Sequence, residues 1–339
     1  MHIALIQLTP KHTEIFGTYI EYFIKKQIKF TIYYNLDKDP YSFIPYYSYL
    51  FNQPLDVKSN NHLPLDKENI DIFLYASASD HNHIPDILKN QPYINRSIFV
   101  QHQTTHILPF MQKFITVSPV INTAKMYGKD WQYILPIYKS YRSIHYKPQD
   151  KTIFGIIGGI RGTKTGKILD RDVTLIQDIL EKYPNNHYQF RFFMRKWDWL
   201  WLIKRIPMLD NHPKIKAYFG LDTPNLIRKL KKVKFVLPLS KKNGWFYWQR
   251  LTGSIPLAIN LNIPLLMDKR LAKIYNLEET SVIYDSRLEE LFPNILGMPE
   301  IEYYDYIKKS VEYKIQMCHQ NREAFKKLIN IYNMSYADN

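Results

Sequence analysis

Apolar residues in this chain come in short runs, and each run is closed by polar residues, Pro or Gly. Ile3 to Leu8 is the first, ending at Thr9 and Pro10. In His12 to Lys26 the apolar positions Ile15, Tyr19, Tyr22 and Phe23 recur at helical spacing. Lys29 to Tyr34 is a second strand-like run. Strand, helix, strand predicts a βαβ unit, and with it a parallel sheet. Gly17, inside the helix, predicts close packing against a neighbour.

The pattern recurs. Ile70 to Ala76, Ser97 to Val100 and Lys113 to Val117 read as strands, closed by Ser77 to His83, by Gln101 to His106 and by Ser118-Pro119. The Pro- and Tyr-rich stretch Asn35 to Asn69 reads as loops with one short helix. Tyr138 to Asp150 has no period and reads as a linker. The alternation then restarts with a strand at Thr152 to Ile157, ending in Gly158-Gly159, and a helix at Asp170 to Lys182. Strands are predicted at Gln189–Met194, Lys214–Tyr218, Phe235–Leu239, Ile263–Met267 and Ser281–Tyr284. A helix is predicted at Thr223–Lys231, capped by Asp222 or Thr223, with Pro224 in its first turn. From Glu302 to about Tyr332 the pattern is helical and long enough for two helices, one of which could cross back to the first half.

A chain of 339 residues exceeds the size at which one core keeps growing. The expected class is α/β, with two Rossmann-like domains facing across a cleft. Residues 1–145 form the first domain, 146–310 the second and 311–339 a helical tail. Open parallel sheets bind ligands beyond the carboxyl ends of their strands, so the search for chemistry concentrates there.

Composition narrows the class. Apolar residues are 45% and charged residues 23%, which excludes a disordered chain. One cysteine, Cys318, leaves no intramolecular disulfide and no thiolate metal cluster. It is expected to be a buried, inert thiol in a reducing compartment. No run of 18 apolar residues and no signal-peptide pattern is present, so the expected location is cytoplasmic or peripheral at a cytoplasmic membrane face. A formal charge of +15 would attract nucleic acid, phosphorylated ligands or an anionic membrane surface, and does not choose among them.

After the first-half strands stand His12, Asp80, His102 and His106. His12, near a helix start, suits a general base, or it is a plain loop residue. His102 and His106 have the i,i+4 spacing of a metal pair, but no Glu completes that motif and Pro109 limits a helix. No metal is expected. With Asp80 they read as loops that line an acceptor or as solvated turns.

The second half is richer. Gly155, Gly158, Gly159, Gly162 and Gly166 lie at and beyond one strand, with Arg161, Lys164 and Lys167 among them. Such glycines let a backbone approach phosphate closely. Neither the Walker spacing nor GxGxxG is satisfied, and a mobile basic loop is the other reading. Thr252-Gly253-Ser254 precedes a helical stretch with Pro256 in its first turn; it could hold a phosphate or merely cap its helix. Trp245 to Trp248 are four aromatics in a row, too many for one buried face. Trp197, Trp199 and Trp201 alternate within RKWDWLWLIKR. They read as a strand face in the core or at a domain interface, or as an interfacial helix.

YWQRLTGSIPLAINLNIPLLMDKRLAKIY resembles the donor half of the GT-B class of nucleotide-sugar-dependent glycosyltransferases, and LTPKHTEIFGTYIEYF resembles their first strand, loop and helix. The likeness extends over about 300 residues. The paired glutamates, seven residues apart, of many retaining members are absent; Gln249 and the TGS run stand there. The resemblance implies transfer of a sugar from a UDP- or GDP-type donor to a hydroxyl of a glycan, protein or small molecule, without a bound metal or other cofactor. It implies that Gly158, Gly159 and Arg161 face the diphosphate and that Thr252, Gly253 and Ser254 hold it from the helix end. Arg191, Met194 and Arg195 would lie by the nucleotide and leaving group, and Asp222 or Thr223 by the base or ribose. His12 would be the base, with Arg161 and Arg195 offsetting leaving-group charge. Nucleic acid is not expected as a partner. Two rival readings are a basic nucleic-acid-binding protein and another two-domain enzyme of phosphorylated metabolites, such as a nucleotide-sugar epimerase.

Overall fold

The computed structural model describes residues 1–7, 13–34, 42–59, 69–76, 93–102, 111, 113–117, 129–138, 151–160, 171–241, 252–285 and 287–337. The chain divides into two compact units. One comprises Met1–Tyr141 with Gln316–Asn339, the other Arg142–Trp248 with Thr252–Ile315.

The first unit holds a seven-stranded sheet: β1 (His2–Ile6), β2 (Lys29–Tyr34), β3 (Val57–Ser59), β4 (Ile72–Tyr75), β5 (Ser97–Gln101), β6 (Lys113–Thr116) and β7 (Asp130–Tyr133). Its spatial order is β3-β2-β1-β4-β5-β6-β7, and every pairing is parallel. Helix α1 (Phe16–Lys25), entered through a 3-10 turn at Thr13–Ile15, is the predicted crossover from β1 to β2. Asn35–Asn69 contains the expected helix, α2 (Phe43–Phe51), and also the unforeseen short strand β3.

Gly17 has the close neighbour that its position predicts. A Cβ built there would lie 2.5 Å from the Tyr138 ring and 2.9 Å from Tyr47. Both rings are buried. Alanine favours a helix over glycine by roughly 1 kcal/mol. Against that, the added methyl would force two buried rings, Tyr138 and Tyr47, to shift. Gly17→Ala should therefore destabilise the first unit by on the order of 2 kcal/mol. Chemical denaturation measures this, and an unchanged midpoint would refute the tight-contact reading.

The second unit holds a six-stranded parallel sheet: β8 (Thr152–Ile157), β9 (Tyr188–Met194), β10 (Ile215–Phe219), β11 (Phe235–Val236), β12 (Leu265–Asp268) and β13 (Ser281–Tyr284). Its order, β10-β9-β8-β11-β12-β13, repeats that of the first unit. This is the doubly wound order: the chain winds outward from the first strand, returns, and winds the other way. Helices α3 (Thr174–Lys182), α4 (Lys196–Ile203), α5 (Thr223–Leu230), α6 (Ser254–Asn260), α7 (Lys269–Tyr275) and α8 (Leu288–Leu296) follow the strands.

Some predicted boundaries shift for identifiable reasons. β11 stops at Val236, short of the predicted Leu239, because Pro238 has no N–H to give to a ladder. Helix α3 starts at Thr174, not at Asp170. The chain before it is pinned: Arg171 bridges to Ser240, and Asp172 N–H donates to Leu239 O at 2.6 Å. Trp197, Trp199 and Trp201 lie on a helix, α4, and not on a strand. The tail is one helix, α9 (Glu300–Ala337), where two are expected; no Gly or Pro interrupts it. Its first part belongs to the second unit and its part from Gln316 to the first, so the tail does return to the first domain. There Asn321 Nδ2 donates to Leu135 O at 2.7 Å, Phe325 stacks on Tyr22 at 4.8 Å, and Cys318 is buried.

Tyrosine supplies much of both cores. Burial raises the hydroxyl pKa of Tyr19, Tyr47, Tyr75, Tyr138, Tyr275 and Tyr284, and pushes Tyr46 and Tyr188 up to about 12. A folded-state pKa above the unfolded value stabilises fully below the unfolded value, here roughly 10. That stability is lost as pH rises toward the folded values. Alkaline unfolding should therefore begin near pH 10 and expose these phenols together, seen as a cooperative rise in tyrosinate absorbance coincident with loss of circular dichroism. Independent titration of the phenols with the fold intact would contradict the burial pattern.

Candidate functional site

In a doubly wound sheet the crevice lies where the strand order reverses. In the second unit that point is between β8 and β11. Gly158 and Gly159 leave β8 there. Gly158 has φ +95°, a conformation that favours glycine, and its N–H donates to Phe193 O at 2.9 Å. A Cβ on Gly158 would sit 3.1 Å from Arg171 Nη2. A Cβ on Gly159 would sit 2.7 Å from Asp198 Oδ2 and 3.6 Å from Arg195 Nη2. The glycine pair is thus enclosed by one carboxylate and two guanidinium groups.

The guanidinium groups have different roles. Arg171 is 3% exposed. Its Nε donates to Gly159 O at 3.1 Å, its Nη2 to Ile157 O at 2.7 Å, and its Nη1 to Pro238 O. It therefore joins the end of β8 to the chain leaving β11, across the reversal itself. Arg195 is the N-cap of α4, and its side chain is largely exposed. Its fork meets Asp198, Nε to Oδ2 at 2.9 Å and Nη2 to Oδ1 at 3.0 Å. A bidentate pair of this kind fixes the guanidinium plane as well as its position. The result is a cation held over a glycine turn at the carboxyl edge.

Thr252, Gly253 and Ser254 begin α6, which returns to β12 and so starts at the same edge of the sheet. Thr252 and Ser254 are buried, and their hydroxyls are 2.9 Å apart. The Thr252 N–H donates to Tyr275 Oη at 3.1 Å. That backbone donor is engaged, so any ligand here would meet hydroxyls and later amides. Buried Lys314 donates to Asn260 O at 2.7 Å and places a cation at the carbonyl end of α6. Asp268 caps α7 by accepting from Arg270 and Leu271 N–H.

Other candidates are placed differently. Arg191 lies three residues inside β9, not at its end, with Nε donating to Gln189 Oε1 at 2.8 Å; burial lowers its pKa. Met194 is the last residue of β9 and is buried. Asp222 caps α5, accepting from Asn225 N–H at 2.9 Å, and Thr223 is buried beside it. Both come after β10, the edge strand of the sheet. In the first unit His102 follows β5 and is buried; its Nε2 donates to Ala76 O at 3.4 Å, linking the ends of β5 and β4. His12, Asp80, His106, Arg161, Lys164, Lys167 and the run Trp245–Trp248 lie outside the described residues. Among the described residues no group of three His, Cys, Asp or Glu side chains is placed to hold a metal ion.

Sequence reasoning alone misses Arg171 and Asp198. Asp198 does leave a signal: it stands three residues after Arg195, the spacing of an ion pair on one helix face. Arg171 leaves none, since its acceptors are 12, 14 and 67 residues away.

No family model and no curated protein sequence matches the chain. Solved structures do. An α-glucosyltransferase bound to UDP and a 13-mer DNA with an HMU base matches with a TM-score of 0.64 and 12% identity, over 98% of this chain and 99% of that one. The β-glucosyltransferase of phage T4 matches with a TM-score of 0.54 and 13% identity, over 97% and 99%. The UDP-GlcNAc 2-epimerase of Methanocaldococcus jannaschii, bound to UDP-GlcNAc and UDP, matches with a TM-score of 0.50 and 11% identity, over 92% and 100%. At these identities the likeness establishes architecture. From end to end, this chain has the two-domain α/β fold of the GT-B glycosyltransferases.

Proposed function

We propose that the protein is a glycosyltransferase that moves a sugar from a nucleoside-diphosphate donor, of UDP type, to an acceptor hydroxyl. One observation carries this reading: the reversal point of the second sheet presents a two-glycine turn under a guanidinium locked by Asp198. The fold neighbours support it, since several were solved with UDP or a UDP-sugar. In this reading the diphosphate would lie over Gly158 and Gly159, with Arg195 beside it and the hydroxyls of Thr252 and Ser254 on the far side of the reversal. When the bond from the sugar to the donor phosphate breaks, charge grows on the departing diphosphate. A preorganised guanidinium offsets that charge without reorganising. The acceptor oxygen attacks the anomeric carbon, and its proton goes to a general base. His12, which comes after β1 in sequence, is the candidate for that base.

UDP and GDP, each titrated with thermal melting, test the donor. A ligand at about 100 times its Kd stabilises by roughly 2.7 kcal/mol. If neither nucleotide raises the melting temperature, the reading fails. Product analysis with a UDP-sugar then separates transfer from epimerisation, because an epimerase leaves the sugar on its nucleotide.

The acceptor has two readings. A glycan, protein or small-molecule hydroxyl is one. DNA is the other, favoured by the formal charge of +15 and by the DNA present in the complex of the α-glucosyltransferase neighbour. The initial exclusion of nucleic acid is therefore withdrawn. Transfer of labelled glucose to an oligonucleotide with a hydroxymethylated base, compared with free sugars, decides between the two.

A further inference from the structure

The sugar-transfer reading leaves one prominent feature unused. Trp197 is 80% exposed, an unusual state for the largest side chain. It lies on α4, where the three tryptophans diverge. Trp199 is buried against Phe192 at 5.3 Å, so the core claim on this helix is already met by another ring. Trp197, Leu200, Trp201 and Lys204 stand at i, i+3, i+4 and i+7, and so share one face. Leu200 is 37% exposed, as is Phe219, whose ring lies 6.3 Å from that of Trp199. An apolar strip thus reaches solvent along the helix.

Its surroundings are cationic. Lys196 and Lys204 are exposed at either end of the strip. Arg205 lays its guanidinium 3.8 Å over the Trp201 ring and donates to Trp201 O at 3.1 Å. From residue 195 to 209 the only carboxylate is Asp198, and it is buried against Arg195. On a larger scale, residues 191–241 carry 13 Lys and Arg against three Asp, a net of +10 within a chain of +15.

We propose that the exposed face of α4 is a peripheral docking surface for an anionic lipid bilayer. Trp and Leu side chains suit the boundary between headgroups and acyl chains, while flanking Lys and Arg reach the anionic headgroups. Nucleic acid fits less well. Single strands stack successive bases on successive rings, and Trp197 offers one open ring only: Arg205 covers a face of Trp201, and Leu200 has no ring to stack on. Arg195 is both the N-cap of this helix and a member of the candidate site. Docking through α4 would therefore bring headgroups to within about one helical turn, roughly 5 Å along the axis, of that edge. The inference stands on α4 alone and does not require the sugar-transfer reading.

Flotation of the full chain with vesicles tests it. Vesicles of phosphatidylcholine mixed with phosphatidylglycerol should carry the protein, those of phosphatidylcholine alone should carry much less, and salt should weaken the association. Trp197→Ser should lower the bound fraction about tenfold, and Lys196→Glu with Lys204→Glu should lower it comparably. Both variants alter exposed side chains, so an unchanged melting temperature shows that they remain folded. The proposal is overturned if no vesicle binds, or if Trp197→Ser binds like the parent. It is also overturned if Trp197→Ser instead abolishes binding to an oligonucleotide, or dissociates a dimer in the absence of lipid, since either assigns the face to another partner.

Discussion

Arg171→Met is expected to lower the stability of the second unit by about 3–5 kcal/mol, because three buried carbonyls lose their donor at once. The methionine keeps most of the volume. The substitution removes the donor for three carbonyls, at Ile157, Gly159 and Pro238. Leaving a buried acceptor unpaired costs roughly 1–3 kcal/mol, and these three lie together at the end of β8 and after β11. The sheet cannot re-pair them, because β11 has only two ladder residues and Pro238 prevents the ladder from extending. For a domain of this size each kcal/mol moves the melting point by roughly 2–4 °C. A fall of about 10–15 °C in the transition of the second unit is thus expected by calorimetry. Arg171→Lys should recover part of it, since one ammonium keeps the charge but does not span three acceptors. A loss below about 1 kcal/mol would mean that water replaces the guanidinium, and that the reversal point is not held by it.

These residues also show why the sequence speaks clearly about some parts of the molecule and not others. β8 has the ends that its sequence predicts, because five buried apolar or glycine positions in succession are closed by the pair Gly158-Gly159. A central parallel strand is buried on both faces and reads as a continuous run. Edge strand β7, with sequence DWQY, has no such run and escapes prediction. Helix α7 escapes it for its length, although Asp268 caps it and Leu271, Ala272 and Tyr275 lie buried at helical spacing. In the site the same division appears. Gly158 and Gly159 are legible, since a conformational demand is local and only 11 glycines exist in the chain. Arg171 is not, because its role is defined by carbonyls on two separate segments. Asp222 is half legible: its capping role can be foreseen, whereas a nucleotide contact depends on where β10 lies in the sheet.

Under the sugar-transfer reading, Arg195→Ala should lower kcat/KM for donor turnover about 100- to 1000-fold, the range seen when one preorganised donor to a developing anion is removed. The loss should fall mainly on kcat. The departing diphosphate carries more charge in the transition state than in the bound donor, so the interaction strengthens as the bond breaks. Fold stability should fall as well, by about 1–3 kcal/mol, because the buried Asp198 carboxylate loses its partner, so the kinetics are read below the melting transition of the variant. Asp198→Asn provides the contrast. It keeps Arg195 and its charge but weakens the fork that fixes the plane, so turnover should fall by a smaller factor, about tenfold. Gly159 makes the arrangement asymmetric: its missing Cβ is what allows Asp198 Oδ2 to stand where it does. Steady-state kinetics with the same donor checks all of this. If Arg195→Ala raises KM with kcat unchanged, Arg195 binds the ground state only. If Asp198→Asn is as damaging as Arg195→Ala, the carboxylate does more than orient its neighbour, and the assignment of Arg195 as the group that meets the leaving phosphate has to be given up.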